Sequence, residues 1–337
     1  MKMLKTLYSG NIVYGNLPTG CKLCLRGLKS VIFITGICSA DCFYCPISLE
    51  KRGKDIFLTN EREVKELNEV IAEVITSGSR GAGITGGDPL AKPKRTEEVL
   101  TKLKEVFGNS FHVHIYTSGK LLSTQLLLKL EKLELDELRL HTDLMNLNHT
   151  LEILRVAPLS FDIGFEIPVI PGETNTILKF INVISNYNFI SFINLNELEF
   201  SESNSLKLRE KGYELSHDGR TATMSYETAL EVLNLVETLG SSLNIHFCPA
   251  SSKDNYQTRL RFYRRGVMCA KPHELPSDEG TLLKALVPET CRNFPYQMMF
   301  RGRLGLESPL VLAEALGAEY TILEELPDYP RTLLNVL

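Results

Sequence analysis

Three cysteines, Cys38, Cys42 and Cys45, stand in the run CSADCFYC, separated by three residues and then by two. Three thiolates this close cannot all pair with one another as disulfides. They can converge on one metal centre, and thiolate is the customary ligand of iron in clusters. The run contains no fourth cysteine. A cubane held there keeps one iron open to another ligand, which makes the site a place for reaction and not only an electron relay. Two other readings fit the same residues: a zinc site completed by a distant residue, or buried cysteines without metal.

A second set of thiols lies apart from the first. Cys21-Lys-Leu-Cys24 is a CxxC, and Cys248 ends the apolar run Asn244–Phe247. A CxxC joined by one or two distant cysteines holds zinc or an auxiliary iron–sulfur cluster; the alternative is a set of reduced, non-ligating thiols. Cys21, Cys24 and Cys248 are the favoured ligands, with Cys269 and Cys291 as secondary candidates. His246 shares the strand face of Cys248, and a lone histidine there reads as structural.

Alternating elements must position these groups. Apolar runs at Ser30–Gly36, Gly81–Thr85, His112–Thr117, Glu137–Leu140, Asp162–Ile170, Ser191–Phe200 and Asn244–Phe247 read as strands. Between them, Glu61–Thr76, Arg95–Phe107, Thr124–Leu133, Asn146–Val156, Thr176–Tyr187 and Tyr226–Leu239 carry helical periodicity. This alternation predicts a parallel sheet with crossover helices, an incomplete TIM-like α/β barrel of six or seven β/α units. Glycine and polar residues gather where the strands end, the rim on which such barrels bind ligands. Three segments are expected: an N-terminal stretch over 1–27 with the CxxC, the partial barrel over 28–250, and a C-terminal extension over 251–337 covering the open side. The polar stretch Phe200–Ser225 reads as an excursion between barrel units.

Composition narrows the setting. The 337 residues carry a formal charge of −4 and 43% hydrophobic residues, which supports a sizeable core and disfavours a nucleic-acid-coating protein. Five of the eight cysteines fall between Cys21 and Cys45, far from the density of a disulfide scaffold. No signal-like segment and no run of about eighteen apolar residues is present, so a cytoplasmic, reducing location with no membrane span is expected.

Cys-x3-Cys-x2-Cys after a barrel strand resembles the radical S-adenosylmethionine (SAM) superfamily over roughly residues 28–250. The resemblance implies that Cys38, Cys42 and Cys45 bind a [4Fe-4S] cluster whose open iron takes the amino and carboxylate groups of SAM. Tyr44 matches the aromatic near adenine. Gly86-Gly87-Asp88 resembles the Gly-Gly-Glu that meets the SAM amine, with Asp in place of Glu; glycine allows close backbone approach, and Gly87 is the candidate for a positive φ. Ser118 stands where a polar SAM contact is common. Asp143 reads either as a ribose-binding acid or as a helix N-cap. Glu166–Gly172 (EIPVIPG) resembles the motif flanking adenine. Asn194 and Asn196, on one face of their strand, are candidates for ribose or carboxylate. Glu197 and Glu199 are substrate-side acids or a solvated edge. GITGGDPL, HVHIYTSG and NLNELEFSE are also similar to a narrower archaeal-type group related to pyruvate formate-lyase activating enzyme.

The implied chemistry is one-electron cleavage of SAM to methionine and a 5′-deoxyadenosyl radical that abstracts hydrogen from a substrate. It calls for a low-potential donor such as ferredoxin or flavodoxin and for exclusion of water. The leading reading of the substrate is a small metabolite, a nucleotide or an RNA base; Arg259–Lys271, basic and aromatic, is either an RNA grip or an ordinary helix with a solvated basic face. The second reading is an activating enzyme or peptide modifier acting on a partner protein. The third is a non-catalytic iron–sulfur or zinc protein.

Overall fold

The computed structural model describes residues 2–156, 158–293 and 299–337. The chain opens with a short antiparallel pair, β1 (Leu4–Thr6) and β2 (Ile12–Tyr14), and the helix α1 (Thr19–Cys24). Strand β3 (Lys29–Phe33) then begins a β/α series. After the hairpin β4 (Leu58–Thr59) and β5 (Arg62–Glu63) come α2 (Leu67–Thr76), β6 (Gly81–Thr85), α3 (Pro93–Phe107), β7 (His112–Thr117) and α4 (Thr124–Lys132). The series continues through β8 (Glu137–Leu140), α5 (Leu144–Val156), β9 (Asp162–Val169), α6 (Thr174–Ile184) and β10 (Phe192–Glu197). The excursion contributes α7 (Ser205–Glu210), and α8 (Ser225–Leu239) leads into β11 (Asn244–Cys248).

Seven strands, β3 and β6 through β11, are parallel and neighbour one another in sequence order. Helical crossovers between successive parallel strands produce this order. The sheet does not close. Beyond β11 it ends on β2 and β1, and beyond β3 on β4 and β5, both added antiparallel. The expected partial barrel is therefore present as an open, curved sheet.

Alternation along the strands separates two chemistries. Ile84, Val113, Ile115, Leu138, Leu140, Phe165, Leu195 and Phe247 are fully buried and belong to the apolar core with the helices. The alternate positions His114, Arg139, Glu166, Asn194 and His246 point into the lumen. Registers pair Tyr116 with Arg139, and Asn194 with both Glu166 and His246. Helix α1 packs against these lumen residues. A Cβ on Gly20 would lie 2.6 Å from Arg139 Nη2 and 2.7 Å from His114 Nδ1, so only glycine allows the helix this close.

The expected helix over Glu61–Thr76 is shorter than its periodicity. Asn60 and Glu61 take φ of 48° and 70° in the β4–β5 turn, and the helix starts only at Leu67, capped by the reciprocal box of Glu66 and Glu69. No described helix is long and apolar enough to cross a membrane.

After β11 the chain forms α9 (Ala250–Ser252), a π-helical stretch over Lys253–Thr258 and α10 (Arg259–Cys269). A second, antiparallel sheet follows, built from β12 (Leu275–Pro276), β13 (Leu282–Val287), β14 (Phe300–Arg301), β15 (Leu306–Ser308), β16 (Thr321–Glu325) and β17 (Leu333–Val336), with α11 (Leu310–Ala315) between β15 and β16.

The basic segment is partly tied into the rest of the protein. Arg265 is buried in an ion pair with Glu73 of α2 and also donates to Pro327 O. Arg264 Nε donates to Arg26 O at 2.7 Å, Arg259 pairs with Glu279 at 3.5 Å, and burial lowers the Arg261 guanidinium below its ordinary value. Arg264 and Arg265 thus tie α10 to Arg26, to Glu73 of α2 and to Pro327.

Candidate active site

The loop after β3 carries the first cysteine trio to the rim. Glycine fixes its path. A Cβ on Gly36 would lie 1.7 Å from Lys51 O, and one on Gly87 would lie 2.5 Å from Ile37 O. The ends of β3 and β6 are laced by Ile34 N–H to Thr85 O (2.8 Å), Gly87 N–H to Thr35 O (2.7 Å) and Asp88 N–H to Ile37 O (2.8 Å). The positive φ belongs to Gly86 (151°), whose Cβ would meet Thr35 O at 2.4 Å, and not to Gly87 as expected. The glycine pair thus serves the strand-to-loop packing, and Gly87 in addition lines the cavity.

Cys38, Cys42 and Cys45 all line one cavity of about 480 Å³, with Tyr44, Gly87, Pro168, Asn196, Glu197 and Glu199. All three are free thiols, Cys38 exposed and the other two half-buried. Burial raises the Cys38 and Cys42 thiols, with the Tyr44 hydroxyl opposing at Cys42. A single tetrahedral zinc would draw its sulfur ligands to about 3.8 Å of one another. Among the described residues, the only trio of His, Cys or carboxylate ligand atoms mutually within 4.8 Å is His112, His114 and Glu137. The three rim sulfurs therefore do not all lie within 4.8 Å of one another, as the ligands of a single tetrahedral zinc would.

The excursion roofs this loop. Asn204 Nδ2 donates to Tyr44 O (3.0 Å), Ser203 Oγ to Cys45 O (3.3 Å), and Lys207 pairs with Asp41 (3.1 Å). Phe43 stacks on Tyr213 with centroids 6.2 Å apart. The Tyr44 hydroxyl meets His141 Nε2 at 2.9 Å, and His141 Nδ1 meets Glu166 O at 2.8 Å. Burial and neighbouring Cys42 raise the tyrosine's pKa, keeping the phenol neutral.

Several expected contacts are spent elsewhere. Asp88 is fully buried and accepts from Leu90 N–H (3.0 Å), Thr117 Oγ1 (3.0 Å), Ser118 N–H (3.0 Å) and Ser118 Oγ (2.6 Å). Its carboxylate clasps two strand ends and does not face the cavity, because the shorter Asp side chain folds back on its own 3-10 turn. Ser118 is engaged in that clasp and lines, with Asp143, Tyr44 and His141, an adjoining cleft of about 290 Å³. Asp143 accepts from Asn146 N–H at 2.9 Å, the helix N-cap contact. Asn194 is 2% exposed and lines a deeper cavity, not the rim. Asn196 lines both, donating to Glu166 at 2.9 Å. Glu197 accepts from Ala250 N–H (2.8 Å), and Glu199 pairs with Arg220 and Lys253, so neither is a free solvated edge.

The deeper cavity, about 180 Å³, gathers Cys21, Cys24 and Cys248 with Lys29, Arg139 and Gln257. Arg139 bridges the Glu137 and Glu166 carboxylates. Burial pushes the Cys21 thiol up to about 11, against the pull of Arg139, and the Cys248 thiol up to about 12. Burial also holds His246 at about 3, a neutral imidazole between Asn194 and Asn11. Cys269 and Cys291 lie in neither cavity. Sequence reasoning missed Lys253, Arg139 and Gln257. In ELRL the period-2 pattern was the signal for Arg139, since it places Glu137 and Arg139 on one strand face.

An open β/α barrel with three free thiols around a rim cavity defines a class of enzyme that keeps a metal cofactor at its strand ends. The Radical SAM superfamily model matches residues 32–183. A protein of Methanocaldococcus jannaschii, named as a candidate glycyl-radical enzyme activating enzyme, is 38% identical over 284 residues, covering 81% of this chain and 74% of its own. Among solved structures, Streptococcus suis SuiB shares 14% identity over 66% of this chain and 49% of its own, with a TM-score of 0.44. The Kitasatospora setae radical SAM methyltransferase TsrM, with tryptophan and a SAM analogue bound, shares 12% over 57% and 40%, with a TM-score of 0.39. This chain therefore spans about half or less of the length of those solved proteins. The chain belongs to the radical SAM superfamily and is a radical SAM enzyme. Its cofactors are the superfamily's [4Fe-4S] cluster and SAM.

Proposed function

We propose that the chain is an activating enzyme that acts on a partner protein, holding its cluster on Cys38, Cys42 and Cys45. The convergence of the three rim thiols on one cavity supports the cluster assignment. The 38% identical relative supports the protein target, and so favours the second of the three substrate readings.

Cluster and SAM together supply one-electron cleavage of the sulfonium and, from it, hydrogen abstraction. The chain's own residues prepare that space. Gly36 and Gly87 let the thiol loop lie against the β6 end, and the Asp88–Ser118 clasp fixes that end. Tyr44 is held by His141 and by Asn204 beside the thiols, in position to pack on an adenine ring. Gly87 and Asn196 offer backbone and amide groups on the cavity wall. Glu199 and Lys253, paired with each other, also line the cavity. The exposed position of Cys38 suits an entrance that a polypeptide loop can reach, and a low-potential carrier such as ferredoxin or flavodoxin would supply the electron.

The test mixes the anaerobically reconstituted, reduced protein and SAM with a glycyl-radical enzyme from the same source. A glycine-centred EPR doublet with one 5′-deoxyadenosine per radical is expected. Abundant 5′-deoxyadenosine without a protein radical would remove the protein target. No 5′-deoxyadenosine at all would remove the rim-cluster assignment as well.

A further inference from the structure

The lumen holds a feature that the rim chemistry leaves unused. Cys21 and Cys24 come from α1, one helical turn apart and so on neighbouring positions of one face, while Cys248 comes from the end of β11. More than 220 residues of chain separate the pair from the third thiol, yet all three line the same 180 Å³ cavity. Gln257 links two of them: Cys24 Sγ donates to its Oε1 at 2.7 Å, and its Nε2 donates to Cys248 Sγ at 3.3 Å. Cys21 Sγ receives Arg139 Nη2 at 3.4 Å and Asn194 Nδ2 at 3.5 Å.

Neutral thiols are weak hydrogen-bonding groups that pack as small hydrophobes and need no such surroundings. N–H donors aimed at sulfur, as Arg139 and Asn194 are at Cys21 and Gln257 at Cys248, suit metal-bound thiolates, because they spread the charge the metal leaves on sulfur. Lys29 strengthens the point. Its ammonium lines this cavity, has no carboxylate partner among the described residues, and meets only the Tyr116 hydroxyl at 3.4 Å. Arg139 and Lys253 add two further cations to the wall. As at the rim, the three sulfurs do not all lie within 4.8 Å of one another, whereas ligands of one tetrahedral zinc would sit about 3.8 Å apart.

We propose that Cys21, Cys24 and Cys248 hold a second iron–sulfur cluster inside the barrel lumen. Asn196 and Lys253 line both cavities, so this cluster and the rim site share a wall formed by those two side chains. Three thiolates leave one iron of a cubane for a non-thiol ligand, supplied by the polar lumen or by a substrate group entering it.

Iron and zinc content of the 337-residue chain after anaerobic reconstitution tests this. Cys38→Ser/Cys42→Ser/Cys45→Ser alters only the rim loop, so iron it retains reports the lumen site with α1 and β11 untouched. About four irons are expected in that variant, against about eight in the parent chain, with a reduced-cluster EPR signal that added SAM leaves unmoved. Cys21→Ser/Cys24→Ser should in turn fall to about four. A rim variant free of iron overturns the proposal, as does one that keeps a single zinc instead. Four irons in both the parent and the rim variant would uphold the lumen cluster and reject the rim assignment, so the two failures are distinguishable.

Discussion

Ser118 donates from both its hydroxyl and its backbone N–H to a single oxygen of Asp88, at 2.6 Å and 3.0 Å, across the ends of β7 and β6. The carboxylate of the Gly86-Gly87-Asp88 run is therefore committed to holding two strand ends together under the thiol loop. Asp88→Ala leaves at least three buried donors without an acceptor and should cost about 2–4 kcal/mol. Urea unfolding of the reconstituted protein measures it. A cost under about 0.5 kcal/mol would show that the clasp is not structural.

Cys42 is half-buried on the rim loop and sits in no core cluster. Cys42→Ala should keep the circular dichroism of the parent while losing the rim cluster's absorbance and all SAM cleavage. Normal release of 5′-deoxyadenosine from this variant would disprove the rim assignment.

The lumen carboxylate Glu137 gives a pH signature. Burial alone would raise its pKa, but Arg139 and His112 prevail and hold it at about 2, below its ordinary 4.5. A depressed acid stabilises the fold above its unfolded pKa and loses that contribution as pH falls from about 4.5 towards 2. The drop is worth about 3 kcal/mol. In Glu137→Gln this part of the acid destabilisation should vanish, leaving a shallower stability curve below pH 4.5. Superimposable curves for parent and variant would contradict the linkage.

Arg265 and Glu73 form a buried ion pair that ties α10 to α2. Arg265→Ala leaves the glutamate buried without its partner and should cost about 3–5 kcal/mol, while Arg265→Met/Glu73→Met should recover much of that loss. Were Arg265 instead an RNA contact, Arg265→Ala would keep parental stability, a result that equilibrium unfolding would reveal at once.

Much of the molecule was legible in its sequence because the signals were local. The strands Gly81–Thr85, His112–Thr117 and Glu137–Leu140 begin and end where their apolar runs do. The helices after them follow their periodicity to within about two residues, except where positive-φ turn residues at Asn60 and Glu61 cut α2 short. The spacing of Cys38, Cys42 and Cys45 also survives intact, since a short loop keeps neighbouring residues near one another whatever surrounds it.

The sequence by itself determined the β/α series, the rim position of the thiol loop and the superfamily these imply. Only the tertiary structure decided where polar side chains spend their hydrogen bonds. It turned Asp88 inward to Ser118, gave Asp143 to its own helix and directed Asn194 into the lumen. It buried Arg265 of α10 against Glu73 and drew Cys248 to α1 from the far end of the barrel. Periodicity reports which face of an element is buried. It does not report which partner meets that face, because partners hundreds of residues apart are chosen by the packing of the whole chain.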